Sequence, residues 1–293
     1  AGARGVLFGL PLDRRQGRST WMRPPHNVEI TIPALQLGSD EAAQLKGELA
    51  RGPVNATVSL SAYGVQSTRS LIATIRGRSK ERVVVTSHTD GLNSIWDNGP
   101  IAMLALARAY SQLPMRCRPR TLELGFVAAH ESMRLGSQLY AKRLRSEGNL
   151  ALVIALEHLG AREWVYEPRA DGPGGVLRPT GQAEATSVFR PKDSGRALRW
   201  IERGLRRNRL ERTFVFTNPT TSIGEWKSYT DQGLPALAMI AGPWSMSLPS
   251  FTLRQAVDIG LLRRQSLVAA GILRRALRAP AFPIGPPLPE RED

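Results

Sequence analysis

The chain has 293 residues and a mass of 32.1 kDa, room for one large domain or for about 200 residues beside a smaller unit. With 42% hydrophobic and 22% charged residues it is too apolar for a disordered chain. Its longest uncharged apolar run, 234–248, is broken by Pro235, Gly242 and Pro243, so no membrane-spanning helix is expected. The lone Cys117 excludes an intrachain disulfide and any Cys-rich zinc site. Net charge is +15, and all but five of the 40 basic residues are Arg. They are spread along the whole chain, without RNP-like aromatics, zinc fingers or a dense basic arm, so no specific nucleic-acid partner is expected.

The chain opens without Met in a strand-like run, AGARGVLFGL, as a processed or truncated start would. VEITIPALQL reads as a strand, SDEAAQLKGELARG as a helix capped by Ser39 with acidic residues in its first turn, and VNATVSLSA as a further strand. From about Gln66 the pattern changes. Short apolar runs (SLIATIRG, RVVVTS, TLELGFVAA, LALVIAL, TFVFT, PALAMIA) alternate with helical stretches at 100–112, 132–147, 194–208 and 253–278. That alternation predicts an α/β fold: a mixed, largely parallel sheet covered by helices on both faces. In the last helix, Arg263-Arg264 and Arg274-Arg275 share a face opposite Val257, Leu261, Val268 and Ile272. This predicts a solvated arginine face, with weak polyanion binding as the alternative. The tail 281–293 is Pro-rich and expected to be extended. No internal repeat is present.

Three of the four histidines follow apolar runs directly. RVVVTS leads into His88-Thr89-Asp90, TLELGFVAA into His130-Glu131, and LALVIAL into Glu157-His158. In an open α/β sheet, ligands bind outside the carboxyl ends of the strands, so parallel pairing would bring these groups to one edge. Asp97, in WDNGP, sits just before a helix that Pro100 would start. Imidazoles and carboxylates converging on one spot are what a zinc site needs. His88 would be a ligand and Asp90 would fix its tautomer. Each residue alone has a plainer reading. Asp97 and Asn98 also fit a helix cap, Glu131 fits a helix N-terminus, His130 and His158 fit satisfied core histidines, and His26 fits a surface loop.

On VVVTSHTD, DNGPIAMLALARA, HESMRLGSQLYA, ALEHLG and QGLPAL, the sequence resembles the co-catalytic zinc aminopeptidases, whose fold glutamate carboxypeptidase and glutaminyl cyclase share. The likeness runs over roughly 66–278. Residues 1–65 resemble the C-terminal part of a protease-associated domain, a small, partial β-rich lid beginning mid-domain. The resemblance implies domains at 1–65 and 66–280 followed by the tail. It also implies zinc, one ion or two, held by His88, Asp97, Glu131 and Glu157, with Asp90 orienting His88. Asp97 falls at or one place beyond the family's bridging carboxylate, whose strict counterpart is Trp96. Glu157 stands where the family has Asp.

Two departures stand out. His130 replaces the glutamate that serves the family as general base; imidazole can also take that proton. The family's last histidine ligand has Leu248 as its ungapped counterpart, and Glu225 lies near a family Asp beside the site. The implied function is therefore a zinc-dependent aminopeptidase-type hydrolase with an altered metal site, acting on peptides. Family habit points to an extracytoplasmic location. A peptidase-fold binding module without catalysis and an acyltransferase of the glutaminyl cyclase type stay open as alternatives.

Overall fold

The computed structural model describes residues 2–9, 12, 32–57, 59, 67–170, 174–191, 194–216, 223–243, 246 and 251–287. At the N-terminal end, β1 (Val6–Gly9) and β2 (Ala34–Leu37) pair in parallel as a separate two-stranded sheet. Helix α1 (Ser39–Leu49) follows, with Asp40 and Glu41 in its first turn and Gly38, not Ser39, at the cap position. Residues 54–57 and 59 form no strand; the rest of the expected VNATVSLSA strand lies outside the described residues.

All six apolar runs from residue 71 onward are strands: β3 (Leu71–Ile75), β4 (Ser79–His88), β5 (Arg120–Val127), β6 (Leu150–Glu157), β10 (Thr213–Phe216) and β11 (Ala236–Ala241). Sequence reading missed β7 (Arg162–Pro168), β8 (Gly175–Ala183) and β9 (Thr186–Phe189). β7 and β8 form a half-exposed antiparallel hairpin whose charged, Pro- and Gly-containing segments lack a clean strand alternation. The large sheet has the order β10–β9–β11–β6–β4–β5–β3. Its centre, β11, β6, β4 and β5, is parallel throughout; β3 and β9 run antiparallel to their inner neighbours. The parallel centre gives those four strands a common carboxyl edge.

Helices cover both faces. Val83 and Val85 of β4 enter one core with α2 (Asn98–Ser111), α4 (Gly195–Arg207) and α7 (Ile259–Ala276). Val84 enters the other with α3 (Leu135–Glu147) and α5 (Trp226–Asp231), a short helix not foreseen from sequence. Alternate residues of one strand thus bury on opposite sides, which is why the run is continuously apolar. The expected 253–278 helix is two. After α6 (Leu253–Ala256), which Thr252 and Gln255 open with a reciprocal capping box, Val257 is extended. Asp258 then caps α7 by accepting the Leu261 N–H at 2.9 Å. Leu261, Val268 and Ile272 are buried on α7, as the arginine-face reading requires.

The tail is docked where it is described: Phe282 is buried and its N–H reaches the Ala151 carbonyl at 3.1 Å. Leu12 is buried with Trp164, Leu177 and Phe251 beside the hairpin. No described helix is long and apolar enough to cross a membrane.

Candidate active site

Parallel pairing aligns His88, the last residue of β4, with Val127 of β5, and Ile240 of β11 with Glu157 of β6. The turns that follow carry His130 and His158. Helix α2 is pressed against this edge because Gly99 leaves no room for a side chain: a Cβ there would lie 2.0 Å from the Leu156 carbonyl and 2.2 Å from Ser87 Oγ. Asn98 donates to the Leu159 carbonyl at 2.5 Å and ties the helix start to the turn after β6. Among the described residues six non-glycines have positive φ, and four of them, Ala129, Met133, Arg134 and His158, lie in the turns after β5 and β6. Such backbone strain costs about 1–3 kcal/mol per residue and clusters at functional sites.

His88 is fully buried at the centre. Its Nε2 lies 3.9 Å from Glu157 Oε2, and its Nδ1 lies 3.5 Å from Asp90 Oδ1, at the outer limit of a hydrogen bond. The other oxygen of Asp90 accepts the His130 backbone N–H at 2.7 Å. Partial burial alone would raise the Asp90 carboxyl. Hydrogen bonds from His88 and from the His130 N–H, with attraction from both imidazoles, outweigh it and hold the carboxyl below its usual value.

Glu157 is fully buried. Its Oε1 accepts the Glu225 N–H at 2.8 Å, and its Oε2 has no hydrogen-bond partner among the described residues. Burial raises its carboxyl and Glu225 adds to this, while His88, the Glu225 N–H and Arg134 oppose it. Gly224, at φ +63°, leaves the space this carboxylate occupies; a Cβ there would lie 2.5 Å from Oε1.

His130 Nδ1 lies 2.5 Å from Oε1 of Glu225, which is itself fully buried. An ionised carboxylate only accepts, so Nδ1 carries the hydrogen and Nε2 is the ring's acceptor nitrogen. His158 Nδ1 donates in the same way to the Ala241 carbonyl at 2.7 Å.

The site residues expected from sequence are not all brought together. Donor atoms of His88, Glu157 and His158 lie within 4.8 Å of one another, and all three residues are buried. Asp97 is exposed and does not cap α2 with its side chain; partial burial and the nearby Asp90 raise its carboxyl, against His88. Glu131 has buried carboxylate oxygens but is outside that donor group. The buried neighbour is Trp96, 2% exposed, whose Nε1 donates to the Met246 carbonyl at 2.7 Å. Its ring lies 5.1 Å from His88, 5.8 Å from His130 and 5.0 Å from His158, centroid to centroid. Two imidazoles and a carboxylate form a recognised catalytic zinc set, and donors at about 2.1 Å from a tetrahedral ion stand about 3.4 Å apart. The orphaned Glu157 oxygen and the 3.9 Å approach of His88 therefore fit one ion. Sequence reading placed His158 at this edge but not among the ligands. It placed Glu225 near the site without its tie to His130. His26 and Leu248 lie outside the described residues.

Residues 70–188 match the sequence model of Peptidase family M28. No curated protein matches the chain. Among solved structures it is similar to the zinc aminopeptidase BSAP from Bacillus subtilis, with a TM-score of 0.66 at 15% identity over 94% of this chain and 64% of that one. A Peptidase M28 precursor from Shewanella amazonensis aligns with a TM-score of 0.65 at 18% identity, over 97% of this chain and 63% of the other. The aminopeptidase from Aneurinibacillus sp. strain AM-1 gives 0.60 at 17% identity, over 99% and 68%. The chain thus spans between 63% and 68% of the length of these three proteins. Residues 70–188 carry the sequence pattern of peptidase family M28, and the chain as a whole is built on the M28 aminopeptidase fold.

Proposed function

We propose that this protein is a zinc-dependent hydrolase of the aminopeptidase type, removing N-terminal residues from peptides. The observation that carries the reading is one buried edge holding both halves of such a site. His88 and Glu157 present converging donor atoms, and the His130–Glu225 pair stands against them with a 4.2 Å separation between the His88 and His130 rings. Zinc held there would polarise a scissile carbonyl and acidify a water. His130 takes up the proton at Nε2 while Glu225 holds the Nδ1 hydrogen and stabilises the imidazolium. Asp90 holds His88 and the turn that carries His130 together. Residues 1–65 would act as a lid beside the cleft.

The test is hydrolysis of a panel of aminoacyl-nitroanilides by zinc-loaded protein. The expected result is turnover that His88→Ala abolishes and that His130→Ala lowers at least about tenfold with metal retained, since acid–base catalysis contributes roughly 10²–10⁴-fold. Full zinc loading with no turnover on any substrate would refute this reading. It would favour a second one, a peptidase fold retained for binding, which the apolar Trp96 ring among the three histidines already supports.

A further inference from the structure

The turn after β6 breaks a geometric rule. Along a strand, successive side chains point to opposite faces, so Glu157 and His158 should face apart. His158 instead takes φ +54°, a left-handed step, and its ring stays buried beside His88, with centroids 5.5 Å apart. The chain then passes tightly under α7. Gly160, at φ +72°, has no room for a Cβ, which would lie 2.7 Å from Leu262 Cβ, and its N–H donates to Gln265 Oε1 at 2.6 Å.

A second pattern joins the first. Each of the three clustered residues turns one polar atom to a neighbour outside the cluster. His88 Nδ1 faces Asp90, Glu157 Oε1 holds the Glu225 N–H, and His158 Nδ1 holds the Ala241 carbonyl at the end of β11. A ring nitrogen bonded to a carboxylate or a backbone carbonyl is the usual support of a metal-bound imidazole, because it fixes the tautomer and the ring orientation.

Taking the metallohydrolase reading as its basis, we infer that His158 is the third protein ligand, completing a single-ion His88–Glu157–His158 site, and that Trp96 closes the space a second ion would need. A co-catalytic pair stands about 3.5–4 Å apart and needs bridging between the ions. Here an indole, which offers no lone pair to a metal, packs edge-on against all three imidazoles, anchored through Nε1 to the Met246 carbonyl, and the Asp97 carboxylate lies outside the donor group. Ligation by His158 falls to Nε2, since its Nδ1 hydrogen is committed to Ala241.

The experiment measures metal alone, with no substrate, so it can fail independently of the hydrolase reading. Chelator-treated full-length protein is titrated with Zn²⁺ by calorimetry. The expected result is one tight equivalent, weakened at least about 100-fold in His158→Ala, given that even outer-shell partners are worth 10–100-fold. A second equivalent should appear in Trp96→Asp, which puts a carboxylate where the indole stands. Equal affinity in His158→Ala and wild type, with His88→Ala unable to bind, would overturn the assignment and leave the hydrolase reading intact. Two tight ions in the wild type would overturn it as well. A measurement without variants covers the case in which His158→Ala does not fold: zinc-edge X-ray absorption of the loaded wild type should report two imidazoles, and one imidazole would refute the proposal.

Discussion

Replacing Gly224 by Ala probes how firmly the fold holds the Glu157 carboxylate. Two separate costs apply. At φ +63° an alanine loses about 1–2 kcal/mol to left-handed backbone strain. The new methyl carbon would also lie 2.5 Å from Glu157 Oε1, 2.6 Å from Oε2 and 2.7 Å from Ile240 Cδ1. A surface carboxylate would swing away from such a clash at little cost. This one is fully buried and held by the Glu225 N–H, so relief requires backbone movement, and overpacking of this kind costs about 1–3 kcal/mol. The sum, about 2–5 kcal/mol, corresponds to a fall of roughly 4–10 °C in the melting temperature of a chain this long. Gly181→Ala supplies the control: φ is +79° there, but a Cβ would meet nothing within 4 Å, so only the backbone cost remains, about 2–4 °C. Thermal unfolding of both variants in chelator, followed by circular dichroism, decides the matter. Equal losses in the two would mean that Glu157 is not packed against residue 224 and that the geometry argued for the site is wrong.

Arg82 holds the buried Glu123 carboxylate at 3.3 Å and Glu147 at 2.5 Å, so Arg82→Met should cost about 3–5 kcal/mol in urea unfolding, and adding Glu123→Gln should recover part of it. No recovery would show that Arg82 acts through packing. The Glu157 carboxyl is pushed up to about 7 from 4.5, first by burial and then by Glu225, against His88, the Glu225 N–H and Arg134. The unfolded chain releases that proton at lower pH than the folded one. The contribution of this carboxyl to the stability of metal-stripped protein should therefore be full below about pH 4.5 and fall by up to about 3 kcal/mol as pH rises through 7. Glu157→Gln should flatten this fall in melting scans between pH 5 and 8, and an unchanged slope would assign it to other groups. Glu225→Gln should keep the metal yet lower kcat about tenfold or more, because an amide does not hold the His130 tautomer as a carboxylate does; unchanged kcat would remove Glu225 from the reaction.

Much of this protein was legible in the chain itself. RVVVTSHTD, TLELGFVAAHE and LALVIALEH each join an apolar run to ionisable residues, and a strand buried on both faces can hardly be written otherwise. Parallel order then sends all three carboxyl ends to one edge, so the position of the candidate site followed from pattern alone, and the i, i+2 spacing of His88 and Asp90 indicated their proximity. Which side chains face inward was not legible. Asp97 and Trp96 are adjacent, and only the packing of the turn, with Gly91 allowing no Cβ against Trp96, buries the indole and leaves the carboxylate exposed. His158 joins Glu157 through a single left-handed φ that no periodicity encodes. Glu225 meets His130 across 95 positions of sequence, at the start of a short helix without a clear signal of its own. Sequence patterns record which residues avoid water and at what spacing. The direction of a side chain leaving a turn depends on backbone angles set by contacts between distant segments, and those exist only once the chain has packed.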